Sequence, residues 1–363
     1  MVGGGPSARR TGLLIFGGVL AWAGCLLAFA PTRRDAPSAR EISNRFGSDG
    51  RGRTARVPSD IPAKGWKDIL LRTYHEAMDD RLTTIAAGIT FYSLLALFPT
   101  VTVLVSLYGL FADTATVRDH LFAMSFMLPA GTFQIVEEQI ARILSEDNSA
   151  LTVKLLIGLA IALWGANAGM KAIIDGLNIA YEEIEKRSFL RLNVLSIGMT
   201  LAAIVVVLFA LFIVTLAPAV IAAMRLPPEM ASVLGLLRWL AMFAALTLGL
   251  AAIYRFGPSR ADAKWRWVTW GSAIAALLCI LVSLGLSAYL SNFADYNKTY
   301  GSLGAAIALM TWIWLSTCAV LLGAELNAEM EHQTTADTTT GAALPMGRRG
   351  AQMADTVAGT RSG

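Results

Sequence analysis

Charge is scarce in this chain. Asp, Glu, Lys and Arg make up 15% of its 363 residues, against roughly 25% in an ordinary soluble domain. Cysteine is scarcer still. Cys25, Cys279 and Cys318 all sit inside apolar runs without CxxC spacing, which makes them small apolar residues rather than disulfide partners or metal ligands. The histidines, His75, His120 and His332, are too far apart to form a ligand motif. No glycine-rich P-loop is present, so nucleotide-driven work by this chain alone is disfavoured. No residue is assigned to a cofactor or a metal. The formal charge of +4 comes mostly from Lys and Arg clustered between apolar runs, and it informs topology more than nucleic-acid affinity.

Apolar sequence is what abounds. The chain is 55% hydrophobic with a mean hydropathy of +0.56, which points to a polytopic membrane protein. Six runs are long enough for a hydrocarbon core of about 30 Å: roughly 88–112, 151–181, 194–222, 234–254, 268–290 and 301–324. The expected fold is all-α, a membrane helical bundle of six core transmembrane helices with amphipathic interfacial helices around it.

Three regions follow. Residues 1–63 form an N-terminal extension with one apolar segment, 12–30, flanked by Arg9-Arg10 and Arg33-Arg34 and followed by a flexible linker rich in Gly, Arg, Ser and Pro. A signal peptide, an uncleaved anchor, a short span and a mis-set start all fit that segment, with the anchor favoured over cleavage. Residues 64–331 form the six-span domain. Its lead-in carries Trp66, Ile69, Leu70 and Tyr74 at helical spacing, as an interfacial helix or a plain solvated one would. The loop 113–150 carries Phe133, Val136, Ile140, Ile143 and Leu144 at the same spacing, and Pro129 divides it into two amphipathic pieces. Residues 332–363, rich in Thr, Gly and Ala, are expected to be a disordered tail.

Basic residues fix the expected orientation. Lys64, Lys67, Arg72 and Arg81 precede the first span; Lys186, Arg187 and Arg191 follow the second; Arg255, Arg260, Lys264 and Arg266 follow the fourth. The alternate loops hold only Arg118 and Arg142, then Arg225, then Lys298. The richer loops belong in the cytoplasm, with both ends of the six-span core.

The second run carries the chemistry that needs explaining. Asn167, Lys171, Asp175 and Asn178 fall within an arc of about 80° on a helix. A central Lys or Asp costs roughly 2.5–3.5 kcal/mol to insert. The stripe is therefore expected to face the bundle interior or a hydrated cavity, with Lys171 and Asp175 one turn apart and able to pair. Glu182 and Glu185 extend that face. It serves either as the polar wall of a substrate or ion path or as an interhelical packing network. Phe98-Pro99-Thr100 in the first run invites a kink. In the last run Glu325 lies level with the inner end of the stripe, where it is expected to contact Lys171 or a loop arginine, or else to be solvated.

These stretches carry a resemblance. AAGITFYSLLALFP, WGANAGMKAIIDGLNIAYEE with the basic KRSFLR after it, and YGSLGAAIALMTWIWLSTCAVLLGAELNAEMEHQT closely resemble the YihY/BrkB family of bacterial inner-membrane proteins. The resemblance covers about 64–332 and extends to MGRRGAQMADT. It implies a six-span inner-membrane protein with both core ends cytoplasmic. Labels within that family include ribonuclease BN, virulence factor, and lipid or envelope-precursor transport. Scattered histidines, the absence of a visible RNA-binding module and the lack of a soluble domain argue against the nuclease label. The expectation is a non-enzymatic transporter, exporter or lipid-handling protein whose partners are membrane lipids and a lipid or amphipathic solute, with no nucleic acid. A homo-oligomer stays open, and the alternative is a structural protein supporting envelope integrity.

Overall fold

A computed structural model describes residues 50–111, 148–223, 228–292 and 303–359. The apolar segment 12–30, the amphipathic pieces between 113 and 147, and Tyr300–Ser302 lie outside the described residues. So do the side chains of Phe98, Pro99 and Thr100.

Apolar runs without internal breaks make long helices. After a short 3-10 turn at Pro58–Asp60 come α1 (Ala63–Asp79), α2 (Leu82–Phe111), α3 (Asn148–Ala180) and α4 (Phe189–Ala223). They are followed by α5 (Pro228–Phe256), α6 (Trp265–Asn292), α7 (Leu303–His332) and the one-turn α8 (Gln352–Asp355). Among the described residues no strand forms, and one isolated bridge joins Ala263 to Thr339. Helices α3 to α7 each contain a stretch long and apolar enough to cross a membrane: Leu156–Ala180, Phe189–Ala210, Val233–Phe256, Trp265–Leu290 and Ala306–His332. The described apolar part of α2, Leu82–Leu97, is shorter. Leu156, Val205, Leu208, Leu236, Leu240, Leu281 and Leu284 are all exposed. So much outward apolar surface suits lipid as the solvent.

Successive long helices reverse direction, which brings the ends of α3, α5 and α7 and the starts of α4 and α6 together. Ser259, after α5, accepts from the Lys186 amide after α3 at 3.0 Å, and Arg260 reaches Glu331 at the end of α7. This shared end is the polar end of the molecule. Its core is Leu177, Ala180, Tyr181, Ala251, Tyr254, Val268, Ala324 and Ala328.

Helices α6 and α7 cross at two glycines. A Cβ on Gly271 would overlap the Gly323 carbonyl and the Asn327 side chain, and one on Gly323 would meet the Ala275 Cβ at 2.6 Å and the Gly271 carbonyl at 2.7 Å. Without side chains there, the backbones approach closely enough for Asn327 to accept from the Gly271 amide at 2.9 Å and donate to the Val268 carbonyl at 3.1 Å.

The tail departs from expectation. Residues 333–359 are folded, with Gln333, Thr334, Thr338, Thr339, Arg349, Met353 and Ala358 buried. Hydrogen bonds rather than hydrophobic periodicity hold this coil, so a composition rule had nothing to detect. The Arg349 guanidinium donates to the carbonyls of Thr335 (2.7 Å), Ala336 (3.2 Å), Leu344 (3.1 Å) and Ala354 (2.6 Å). The end of the expected linker is folded too. Thr335 N donates to Arg53 O at 2.8 Å, Gln333 to Arg51 O at 2.7 Å and Thr334 to Ala55 O at 2.6 Å, while the buried Arg53 side chain donates to Ala358 O.

Helix α1 also splits the apolar set assigned to it. Ile69 packs with Ala55, Ile61, Trp267, Leu326 and Met330, while Leu70 and Tyr74 are exposed alongside Leu71 and Met78.

Candidate functional site

The face of α3 opposite its polar stripe is the one packed against α2 and α7. Gly165 sits against Ala96, where a Cβ would meet it at 3.1 Å, and Gly176 sits against Ile85 and Leu321. That packing turns the stripe away from the tight interior and divides it. Asn167 has a buried Oδ1 without a hydrogen-bond partner among the described residues. Lys171 donates to Asn193 Oδ1 on α4 at 2.5 Å, and its ammonium lies 5.8 Å from the Phe189 ring centroid. Asp175 is exposed, on the same side of the helix as the exposed Ile157, Ile161, Trp164 and Ile179. Asn178 is buried, accepting from Ser259 N at 2.7 Å and donating to Glu185 at 3.1 Å.

Lys171 is thus bonded to Asn193 and not to Asp175. Of the two expected settings for the stripe, the bundle interior or a hydrated cavity, Asp175 does not take the packed interior, because the glycines of α3 claim it for apolar packing. Asn178 fits the packing alternative, since it ties the end of α3 to the loop between α5 and α6.

The end of α7 gathers most of the polar network. Glu325, Asn327, Glu329 and Glu331 alternate along it, and each step of two residues turns about 200°, so Glu325 and Glu329 share one face and Asn327 and Glu331 the opposite one. All four are buried. Glu329 accepts from the Arg72 guanidinium of α1, which also donates to Gln333 at 2.8 Å. Glu331 takes both Arg260 terminal nitrogens, at 2.7 and 3.0 Å, and a hydroxyl from Thr338 at 2.7 Å. The Arg260 guanidinium also lies 4.1 Å from the Tyr181 ring centroid. Burial alone would lower the Arg260 pKa, but the charge of Glu331 raises it above the ordinary arginine value.

Glu325 behaves differently. Of its expected partners, Lys171 is engaged elsewhere and the loop arginine Arg260 is paired with Glu331. It is 1% exposed, its Oε2 has no hydrogen-bond partner among the described residues, and its electrostatic neighbours are Asp80, Glu329, Glu76 and Glu182. Asp80, at the corner between α1 and α2, has its pKa raised to about 6, first by burial and then by Glu76, Glu182 and Asp79. Arg72 and Arg260 entered the sequence reading only as topology charges, and Asp80, Asn327 and Glu331 were not singled out from sequence. The alternation of polar residues inside an otherwise apolar run was the available signal for a helix end enclosed by polar partners.

The same end holds a cavity of about 500 Å³ between the start of α4, the end of α5 and the tail. Lys186, Arg187, Arg191, Arg260, Phe256 and Leu195 help to line it. Glu183 pairs with Lys186 at 2.8 Å, Glu185 with Arg187 at 2.8 Å and Glu331 with Arg260, while Arg191 is exposed. Burial opposes the ionised form of Glu185, but hydrogen bonds from Arg187 and Asn178 outweigh it and hold its pKa down at about 2.

Comparison with known proteins adds to this geometry. A family model described as virulence factor BrkB matches residues 73–345. YfkH of Bacillus subtilis (strain 168), whose name calls it ribonuclease-like, is 33% identical over 250 residues, covering 67% of this chain and 88% of YfkH. A UPF0761 membrane protein of Xanthomonas campestris pv. campestris (strain 8004) is 29% identical over 278 residues, 70% of this chain and 58% of that protein. The chain therefore spans less than two thirds of the Xanthomonas relatives it matches. A UPF0761 membrane protein of Stenotrophomonas maltophilia (strain K279a) is 39% identical over 103 residues, 26% of this chain and 23% of that protein. No solved structure matches. With its apolar, outward-facing helices and a family match across most of its length, the chain belongs to the virulence factor BrkB (YihY) family of integral membrane proteins.

Proposed function

We propose that this is a six-span inner-membrane protein, with both core ends cytoplasmic, that handles lipid along the seam between α3 and α4. The sixth span is α2, which is 30 residues long and thus about 45 Å at 1.5 Å per residue. The exposed Leu70, Leu71, Tyr74 and Met78 of α1 would lie on the membrane surface.

The observation that carries the proposal is the position of Lys171 and Asp175. Both sit outside the tight interior of a helix otherwise suited to lipid. Asp175 is five residues from the end of α3, about 7.5 Å, and Lys171 nine residues, about 13.5 Å. A polar track at those depths on the flank of a bundle suits a headgroup moving past it while the acyl chains stay in the bilayer. An enclosed path for a soluble solute has less support. The basic cavity beside Arg191 would favour an anionic headgroup.

The test is reconstitution in liposomes carrying a fluorescent anionic phospholipid, with transfer between leaflets followed by quenching from outside. Wild type should redistribute the lipid faster than protein-free liposomes, and Lys171→Ala and Asp175→Asn should slow it several-fold at unchanged melting temperature. Equal rates in wild type and both variants would sink the proposal. A second role, as a structural support of the envelope, draws on Asn178, which is wholly engaged in packing. It predicts no lipid transfer by wild type and lower thermal stability in the variants. A nuclease role would need RNA cleavage that survives extensive purification and vanishes with a point variant.

A further inference from the structure

We infer that Glu325, enclosed by the corner between α1 and α2 and the end of α3, binds one small monovalent cation, a proton or a sodium ion. The inference stands apart from the lipid proposal and is tested without a flux measurement.

Three elements deliver the site. Helix α7 contributes Glu325, the corner after α1 contributes Asp80, and Glu182 follows the last turn of α3. Arg81 and Glu182 are the two non-glycine residues with left-handed backbones among the described residues, at φ 53° and 52°. Both chain reversals next to Glu325 are therefore tight. From α1 the groups facing Glu325 are Glu76 and Asp80, with Asp79 acting on Asp80; from the end of α3 it is Glu182, and from α7 itself Glu329. The nearby cations are already committed. Arg72 is bonded to Glu329 and Gln333, Arg260 to Glu331, and His332 lies 3.7 Å from Glu329. Arg81 is exposed.

A bare carboxylate withdrawn from water costs several kcal/mol even after relaxation, and neighbouring carboxylates add to that. Among the described residues Glu325 has no arginine, lysine or hydrogen-bond donor bonded to it. The buried Tyr181 hydroxyl also senses the charge of Glu325. A buried carboxylate with an unpartnered oxygen and negative charge beyond it is an arrangement that a proton neutralises or a small hard cation coordinates.

The experiment uses the full chain in detergent micelles or nanodiscs, with two arms. In the first, melting temperature is followed against NaCl, with choline chloride holding ionic strength constant. In the second, infrared difference spectra recorded across pH 5 to 9 are searched for the carbonyl stretch of a protonated carboxyl. A sodium site gives stabilisation by sodium but not choline, with apparent affinity weakened at least tenfold by Glu325→Gln. A proton site gives a protonated carboxyl band at neutral pH that Glu325→Gln removes. Should that variant fold poorly, Asp80→Asn is the second probe, and it should shift the midpoint of whichever signal wild type shows. Absence of both signals in wild type, or their persistence unchanged in Glu325→Gln, overturns the inference.

Discussion

Arg260 and Glu331 face each other with neither side chain exposed to solvent, the guanidinium forked onto both carboxylate oxygens. The pair ties the loop after α5 to the last turn of α7. Removing one member leaves a buried, uncompensated charge, which typically costs about 3–5 kcal/mol. Arg260→Ala and Glu331→Ala should each lower the unfolding free energy in mixed micelles by that order. The double variant should lose clearly less than the sum, because neither charge is left alone. Additive losses would show that the two groups act independently.

The crossing of α6 and α7 makes a steric prediction. Gly271→Ala puts a methyl into the Gly323 carbonyl, and overpacking of this kind costs about 1–3 kcal/mol. Gly285 lies on the same helix with nothing near its would-be Cβ. Gly285→Ala should be neutral or slightly stabilising, since alanine is the better helix former. Equal melting temperatures for the two variants would show that the close approach is not what holds these helices together.

The folded tail depends on Arg349, whose guanidinium gathers four carbonyls of otherwise irregular chain. Burial lowers its pKa, opposed by the charges of Asp337 and Asp355. Arg349→Ala should free the stretch from 335 to 358 while the helices remain. Limited proteolysis should then cut between Thr335 and Ala358 at least tenfold faster than in wild type, with an unchanged helical circular-dichroism spectrum. An equally resistant tail would assign its order to the backbone bonds at Thr335, Thr340 and Ala358 alone.

What the sequence revealed of this architecture follows from which forces leave a periodic trace. The long apolar runs of α3 to α7 were legible because lipid tolerates apolar residues on every face, and the uninterrupted run is itself the signal. The stripe from Asn167 to Asn178 was legible as an anomaly, but its direction was not. Direction is set by Gly165 and Gly176, and small residues look unremarkable until their partners Ala96 and Leu321 are known. Glu325 stood out in the sequence, with Lys171 or a loop arginine as its expected contact or solvent as the alternative; it is buried instead, and Lys171 finds Asn193 on α4. The tail was misread because its order comes from one arginine and a series of threonine hydroxyls, contacts with partners as distant in sequence as Arg53 and Ala358. Composition is blind to contacts of that range.

Acid titration of the polar end separates two groups of opposite sign. The Asp80 pKa is raised from 3.8 to about 6 in the folded chain. Between those values the folded state keeps a proton that the unfolded state has lost, so stability falls as pH rises from about 4 to about 6 and then levels off. The Glu185 pKa is lowered from 4.5 to about 2. Its contribution is complete above pH 4.5 and is lost as pH falls toward 2. Asp337 shares the Glu185 direction: burial works against its charge, but hydrogen bonds from Leu344 and Thr339 and the charge of Arg349 lower its pKa below the usual range. Melting temperature against pH should therefore peak on the acid side of neutrality, between pH 4 and 5. Asp80→Asn should abolish the decline from pH 4 to 6 and raise stability at pH 7 relative to wild type, while Glu185→Gln should flatten the loss below pH 4.5. A wild-type profile that is flat between pH 4 and 6, or an Asp80→Asn profile that keeps the decline, would remove Asp80 as the titrating group and with it the crowding of carboxylates inferred around Glu325.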